Sequence, residues 1–270
     1  MKNSSLLLST FALILFSFIS CTKEDSLTAT DNGPVVASVS IDLINELDIK
    51  IGNEISFENS TAKKTGKSLT SSCAIIAMNP VTSNFPKTFD VDFGTGCTIN
   101  GIIRKGKLKI TFSNYVTETG STMTIERENY YVNGNKVEGK IEYKNTTTTP
   151  SIPQWTRTVT NGIFTNTKGE VYTNTGTHTI KQTKGVETLT LDDNTYEMID
   201  GTHIVTKQNG AKITLTVLES LVKSYSCNYV SKGKLKVESP LLNGIIDYGN
   251  GDCDNNATYT QNGIIFPFTM

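Results

Sequence analysis

Hydrolysis of a peptide or glycosidic bond needs a nucleophile with its base, or two acids brought to one point, and this 270-residue chain marks out neither. Its two histidines, His178 and His203, both lie in threonine-rich alternating segments. No Gly-x-Ser-x-Gly elbow accompanies them, so both read as strand residues rather than members of a triad. Acids are numerous, yet no two are singled out as a glycosidase-like pair. The run Asp247, Asp252, Asp254, Asn255, Asn256 around Gly249 and Gly251 offers oxygen ligands, but without the acid spacing of a calcium loop, and it reads as a turn. Thr61 to Ser68 approaches a phosphate-binding loop. It has Thr61 where the first glycine belongs and no apolar strand before it, so a solvated basic loop is the better reading. The expectation is a chain that is not an enzyme, with no catalytic residues, metal or cofactor.

Two residue sets do imply chemistry of another kind. Trp155, with Tyr130, Tyr131 or Tyr172, could form a stacking platform for a sugar ring if exposed, whereas buried strand aromatics are the commoner use. Cysteines number five, at 21, 73, 97, 227 and 253. Zinc is an unsuitable use of them, since no Cys-x-x-Cys spacing occurs and only two histidines are present. Setting Cys21 aside leaves an even four, which in an exported chain implies disulfides. A local echo selects the pairs. Asp92-Phe93-Gly94-Thr95-Gly96-Cys97 is matched by Asp247-Tyr248-Gly249-Asn250-Gly251-Asp252-Cys253, each with a cysteine upstream at a similar distance. The expected bridges are Cys73–Cys97 and Cys227–Cys253.

The elements that must hold these residues are strands. Leu108, Ile110 and Phe112 alternate with Lys107, Lys109 and Thr111; Val137, Ile141 and Tyr143 alternate with lysines and glutamates; Ile213, Leu215 and Val217 alternate with Lys212, Thr214 and Thr216. A period of two with one apolar side is a strand with one buried and one wet face. Asn133-Gly134, Asn161-Gly162, Asn209-Gly210 and Asn262-Gly263 beside these runs predict tight hairpin turns. Helical spacing is confined to Ile41, Ile44 and Leu47, and an opening strand fits there nearly as well. Pro267 puts the last strand at an edge. A second echo joins Lys105-Gly106-Lys107-Leu108-Lys109-Ile110 to Lys232-Gly233-Lys234-Leu235-Lys236-Val237, in the opposite order relative to the Gly-Cys motif. The predicted fold is all-β, a large antiparallel hairpin-built sheet or sheets, as a sandwich or a strongly curved open sheet. Residues 39–270 form one domain, which the Gly-Cys echo suggests is built of two pseudo-related layers.

Charge narrows the partners. The net charge is −1 with pI near 6.2, and no basic face is visible, which argues against nucleic acid. At the start, Met1-Lys2-Asn3 and the apolar run Leu6 to Ile19 read as a secretory signal, too short to span a membrane. Phe18-Ile19-Ser20-Cys21 resembles a bacterial lipobox, with Phe18 where leucine is commonest. Residues 1–20 are then a signal peptide, and Cys21 is the lipid attachment site. Residues 21–38 are a flexible tether of polar, unpatterned composition. Thr22-Lys23-Glu24-Asp25-Ser26 resembles the signal that sends lipoproteins of Bacteroidota to the outer face of the outer membrane. Asp25-Ser26-Leu27 resembles a three-residue O-glycosylation acceptor of the same phylum.

The two glycine–cysteine motifs together resemble those of a group of uncharacterised Bacteroidota surface lipoproteins, over the chain from about Cys73 onward. The resemblance implies an outer-membrane, cell-surface location and membrane contact through the lipid; it transfers no reaction. The leading expectation is a non-catalytic scaffold that binds an extracellular glycan or an envelope protein. The alternative is a carrier that holds a lipid or small apolar ligand in a curved-sheet cavity, and the third is a glycan or peptide hydrolase.

Overall fold

A computed structural model of the chain describes residues 31–60 and 73–270. Helix α1 (Gly33–Ser60) comes first, followed by β1 (Ile75–Met78), β2 (Lys87–Asp92), β3 (Cys97–Ile99), β4 (Ile102–Phe112) and β5 (Thr122–Val132). Next come β6 (Asn135–Asn145), β7 (Gln154–Thr165), β8 (Val171–Lys184), β9 (Thr195–Lys207) and β10 (Lys212–Ser224). The last four are β11 (Lys232–Glu238), β12 (Gly244–Asn250), β13 (Asn256–Gln261) and β14 (Ile264–Thr269). All fourteen belong to one antiparallel sheet, in which each strand from β4 to β14 pairs with its sequence neighbours. β2 and β3 lie end to end along β4, and β1 and β14 each pair on one side only, so the sheet is open. The all-β expectation holds, in its curved open-sheet form. The two motif-bearing halves are ends of one sheet rather than two layers.

The sequence reading of the helix was too short. α1 covers 28 residues and takes in 33–38, which the tether was expected to include. Asn32 closes its first turn by accepting from the amides of Val35 and Val36, and Pro34 sits where no intrahelical donor is needed. Most of the helix lies outside the Ile41–Leu47 stretch with helical spacing because it has no single apolar face. Val35, Val39, Ile41, Ile44, Leu47, Ile51 and Ile55 point in all directions, and all are buried. Ser38, Asp42, Asn45 and Asp48 are buried as well, so the helix is covered on several sides and its buried polar groups take partners on the sheet. Asp48 reaches β5, Asp42 reaches β7 and β9, and Lys50 reaches the segment after β10. Gly52 lets the backbone come close to β5, since a Cβ there would meet the Met123 sulfur.

A fourteen-stranded sheet curls this tightly because a belt of bulges crosses its middle. Register shifts interrupt the ladders between β4 and β5, β5 and β6, β6 and β7, and onward to β11 and β12. Each extra residue bends its strand and increases the local twist. Asn161-Gly162 belongs to this belt. It lies inside β7, opposite Gly139, and not at a hairpin as its sequence predicted. Asn161 has φ 52° and Gly139 has φ 99°, and a Cβ on Gly139 would lie 2.5 Å from the Asn161 carbonyl oxygen. The other three Asn-Gly pairs do join neighbouring strands, although at 209–210 only Gly210 takes a positive φ.

The two sequence echoes turn out to be one unit used twice. Lys107 of β4 lies across from Asp92 at the end of β2, and Lys234 of β11 lies across from Asp247 of β12. In both, the aspartate side chain accepts from the amide of the glycine two residues on, Gly94 or Gly249, and faces its lysine. The reversed order in sequence is immaterial because an antiparallel pair can be entered from either strand. Disulfides Cys73–Cys97 and Cys227–Cys253 fasten both units, as expected. Each closes a loop of 24 or 26 residues, which removes unfolded-state entropy equivalent to about 3.5 kcal/mol in the chain-entropy model.

Candidate functional site

The residues proposed for a sugar platform do not form one. Trp155 is only 4% exposed; its indole Nε1 donates to the Val116 carbonyl at 3.0 Å and its ring stacks on Tyr143. Tyr130 is fully buried and donates to Asp48 Oδ1 at 2.6 Å. Tyr172 is buried at the other end of the helix, where its hydroxyl donates to Glu170. Tyr131 is the exception, half-exposed with Lys105 above its ring, and is separated from the others by the sheet's alternation. All four are strand aromatics, and three fill the core. Cys21 and the loop Thr61 to Ser68 lie outside the described residues. At the late acidic run, Asp247, Asn250 and Asp254 accept from backbone amides two residues on, which is turn chemistry.

What the sequence reading missed is a polar network between helix and sheet. Arg127 on β5 donates twice to Asp48 Oδ2, at 2.9 and 2.7 Å, and once to Asn45 at 2.8 Å. Arg157 on β7 donates to Glu46 at 2.7 Å and to Asp42 at 3.0 Å. The Arg157 Nη2 also lies 3.1 Å from His178 Nδ1; a guanidinium only donates, so that nitrogen accepts. The His178 proton is then on Nε2, which faces His203 Nδ1 at 3.4 Å. By the same logic His203 carries its proton on Nε2, 3.6 Å from Asp42. Burial, the Arg157 charge and the neighbouring His203 hold His178 well below the usual imidazole range. Burial also lowers His203, against the pull of Asp42. Both rings are therefore neutral, and neither lines the cleft described next.

One signal in the sequence does point to this network. Arg127, Arg157, His178, His203 and Lys223 each occupy the same parity as the buried apolar residues of their strand, such as Ile125, Trp155, Ile180, Val205 and Leu221. Charged or polar residues on the apolar phase of a strand need buried partners, and the helix supplies most of them.

The second half of α1 borders a cleft of about 380 Å³. Its apolar lining comes from Leu47 and Ile51 of the helix and from Val91, Phe93 and Ile102 on the β2–β4 side. Leu191 and Asp192, before β9, and Tyr225 and Asn228, after β10, close the opposite wall. Asn228 donates to the Asn100 carbonyl at 3.4 Å, joining the two walls across one end. Lys50 is pinned by donating to the Tyr225 carbonyl at 2.8 Å, and the Tyr225 hydroxyl donates to Glu54 at 2.7 Å. Burial lowers Lys50 despite Glu54, and burial with Glu54 raises the Tyr225 phenol. Arg104, on β4, also lines the cleft and is 4% exposed; its Nε has no partner among the described residues. Comparison of the chain with family models, with curated proteins and with solved structures finds no match in any of the three.

Proposed function

We propose that this chain is a non-catalytic binding protein that holds a small apolar or amphiphilic ligand in the cleft beside α1. We propose further that it is exported and fixed to the outer membrane by lipid on Cys21. The observation that carries the binding reading is the cleft itself. Its volume falls within the range of sites that enclose most of a small ligand, and its walls are mixed, with an apolar floor of residues such as Leu47, Ile51, Val91 and Ile102 and charged groups that include Lys50, Arg104, Glu54 and Asp192. Of the expected functions, the carrier fits this geometry better than the glycan binder, because three of the four rings expected to hold a sugar, those of Trp155, Tyr130 and Tyr172, are inside the core.

The cleft is also held rigid. Its helical wall is set by the Asp48–Arg127 and Asp42–Arg157 pairs, and its sheet walls each adjoin a disulfide. A preformed site loses less ordering entropy on binding than a mobile one. The test is titration of the folded protein with a neutral environment-sensitive dye such as Nile red, alongside native mass spectrometry of the protein purified without detergent. Saturable one-to-one dye binding that is lost in Leu191→Trp, which fills the cleft, is expected. Absence of dye binding and of any co-purified small molecule would remove the reading.

A further inference from the structure

We infer that the cleft selects amphiphiles with an anionic head, and that Arg104 is the group that recognises the head. The inference rests on the cleft-binding reading and adds the chemical class of ligand. Three arginines lie with their side chains inside this fold, and two of them are neutralised. Arg127 is paired with Asp48, and Arg157 with Asp42 and Glu46. Arg104 is buried to the same degree and makes no ion pair among the described residues. Its guanidinium carbon instead sits 5.7 Å from the ring centre of Phe93, another cleft residue.

A guanidinium stays charged at any physiological pH, so it cannot escape its burial by releasing a proton. An unpaired buried charge is strongly unfavourable unless something else serves the charge. Neither Glu54 nor Asp192, both of which line the cleft, pairs with it. Glu54 accepts from Tyr225, and Asp192 is exposed at the rim and makes no ion pair with Arg104. Arg104 is thus a fixed positive centre among Ile102, Phe93 and Val91, and Lys50 is close enough to be lowered further by its charge. Its position is rigid as well, since on β4 it lies directly across from Cys97, one end of a disulfide.

The planar fork of a guanidinium matches an oxyanion that accepts two parallel hydrogen bonds, either a carboxylate or a phosphate. Such a head would sit at Arg104, with its chain along Ile102, Leu47 and Ile51. The size of the cleft suits a single-chain amphiphile rather than a two-chain phospholipid.

The experiment displaces Nile red from the full chain with decanoate, decyl phosphate and decanol, three ligands of one tail length. The expected result is at least tenfold tighter binding of decanoate or decyl phosphate than of decanol, and the better of the two names the head. In Arg104→Leu the preference should fall below twofold, with decanol binding at least as tightly as before. Equal affinity for all three ligands, with the dye still bound, would overturn the inference and leave the cleft reading standing. A preference that survives in folded Arg104→Leu would overturn the role of Arg104. If neither dye nor any amphiphile binds, the cleft reading fails and the inference with it. Should Arg104→Leu not fold, the wild-type ratio of anionic to neutral ligand decides the matter alone.

Discussion

Replacing Lys223 by methionine should stabilise the protein at neutral pH, and the gain should vanish in alkali. Lys223 stands on the buried phase of β10, is 8% exposed, and its Nζ has no partner among the described residues. Burial pulls its ammonium down from 10.5 to about 8, against Glu46 and with the help of Lys50, Arg157 and Arg104. Between those two pH values the unfolded chain holds a proton that the folded chain has released. Stability therefore rises with pH across that window, and the penalty is complete below pH 8. The gap between 10.5 and about 8 corresponds to about 3 kcal/mol. Methionine keeps the length of the stem and removes the charge, so Lys223→Met should raise the unfolding free energy by about 2–3 kcal/mol at neutral pH. That difference should shrink towards zero near pH 10.5. Urea unfolding followed through Trp155 fluorescence, at several pH values on both proteins, measures it. A variant less stable at neutral pH, or a gain that stays constant across the window, would refute the reasoning.

Other substitutions probe different parts of the frame. Asp48→Ala takes from Arg127 its charged partner, leaving only Asn45, and from Tyr130 its acceptor; it should cost about 3–5 kcal/mol, moving the urea midpoint down by about 2 M. Gly139→Val forces a side chain onto a φ of 99° and against the Asn161 carbonyl; it should cost more than about 2 kcal/mol by the same assay. His178 and His203 are held neutral below the usual imidazole range, so unfolding takes up protons as pH falls through 6.5 and stability declines there. The double variant His178→Gln, His203→Gln should flatten that decline in midpoints measured from pH 7 to pH 5. Cys227→Ser with Cys253→Ser opens a 26-residue loop and should lower stability by about 3.5 kcal/mol, read by calorimetry.

Much of the sheet was legible because its strands keep a strict period of two, as in Leu108, Ile110 and Phe112, and because type I′ turns demand residues such as Asn133-Gly134. The disulfide pairs were legible through the Gly-Cys echo. The helix was legible only around Ile41, Ile44 and Leu47, since burial on several sides blurs the division into apolar and polar faces by which helices are recognised, and Val35, Val39 and Ile55 are as well suited to strands. Asn161-Gly162 misled because positive φ is needed at a bulge as well as at a hairpin. The cleft lay beyond reach for a different reason: Arg104, Leu47 and Tyr225 come from three distant parts of the chain, and only the curl of the sheet brings them together.

The enclosure of α1 also dictates a sequence of events in folding. Every strand pairing is between close neighbours, so hairpins can form one after another as the chain becomes available. The helix cannot share in this, because its anchors lie far downstream, Arg157 being 115 positions from Asp42. Among the described residues, the first element made thus waits for strands that come much later in the chain. β5 and β7 cover part of it, but until β9 and β10 arrive some of its apolar surface remains wetted, and that interval is when a holding chaperone would matter most.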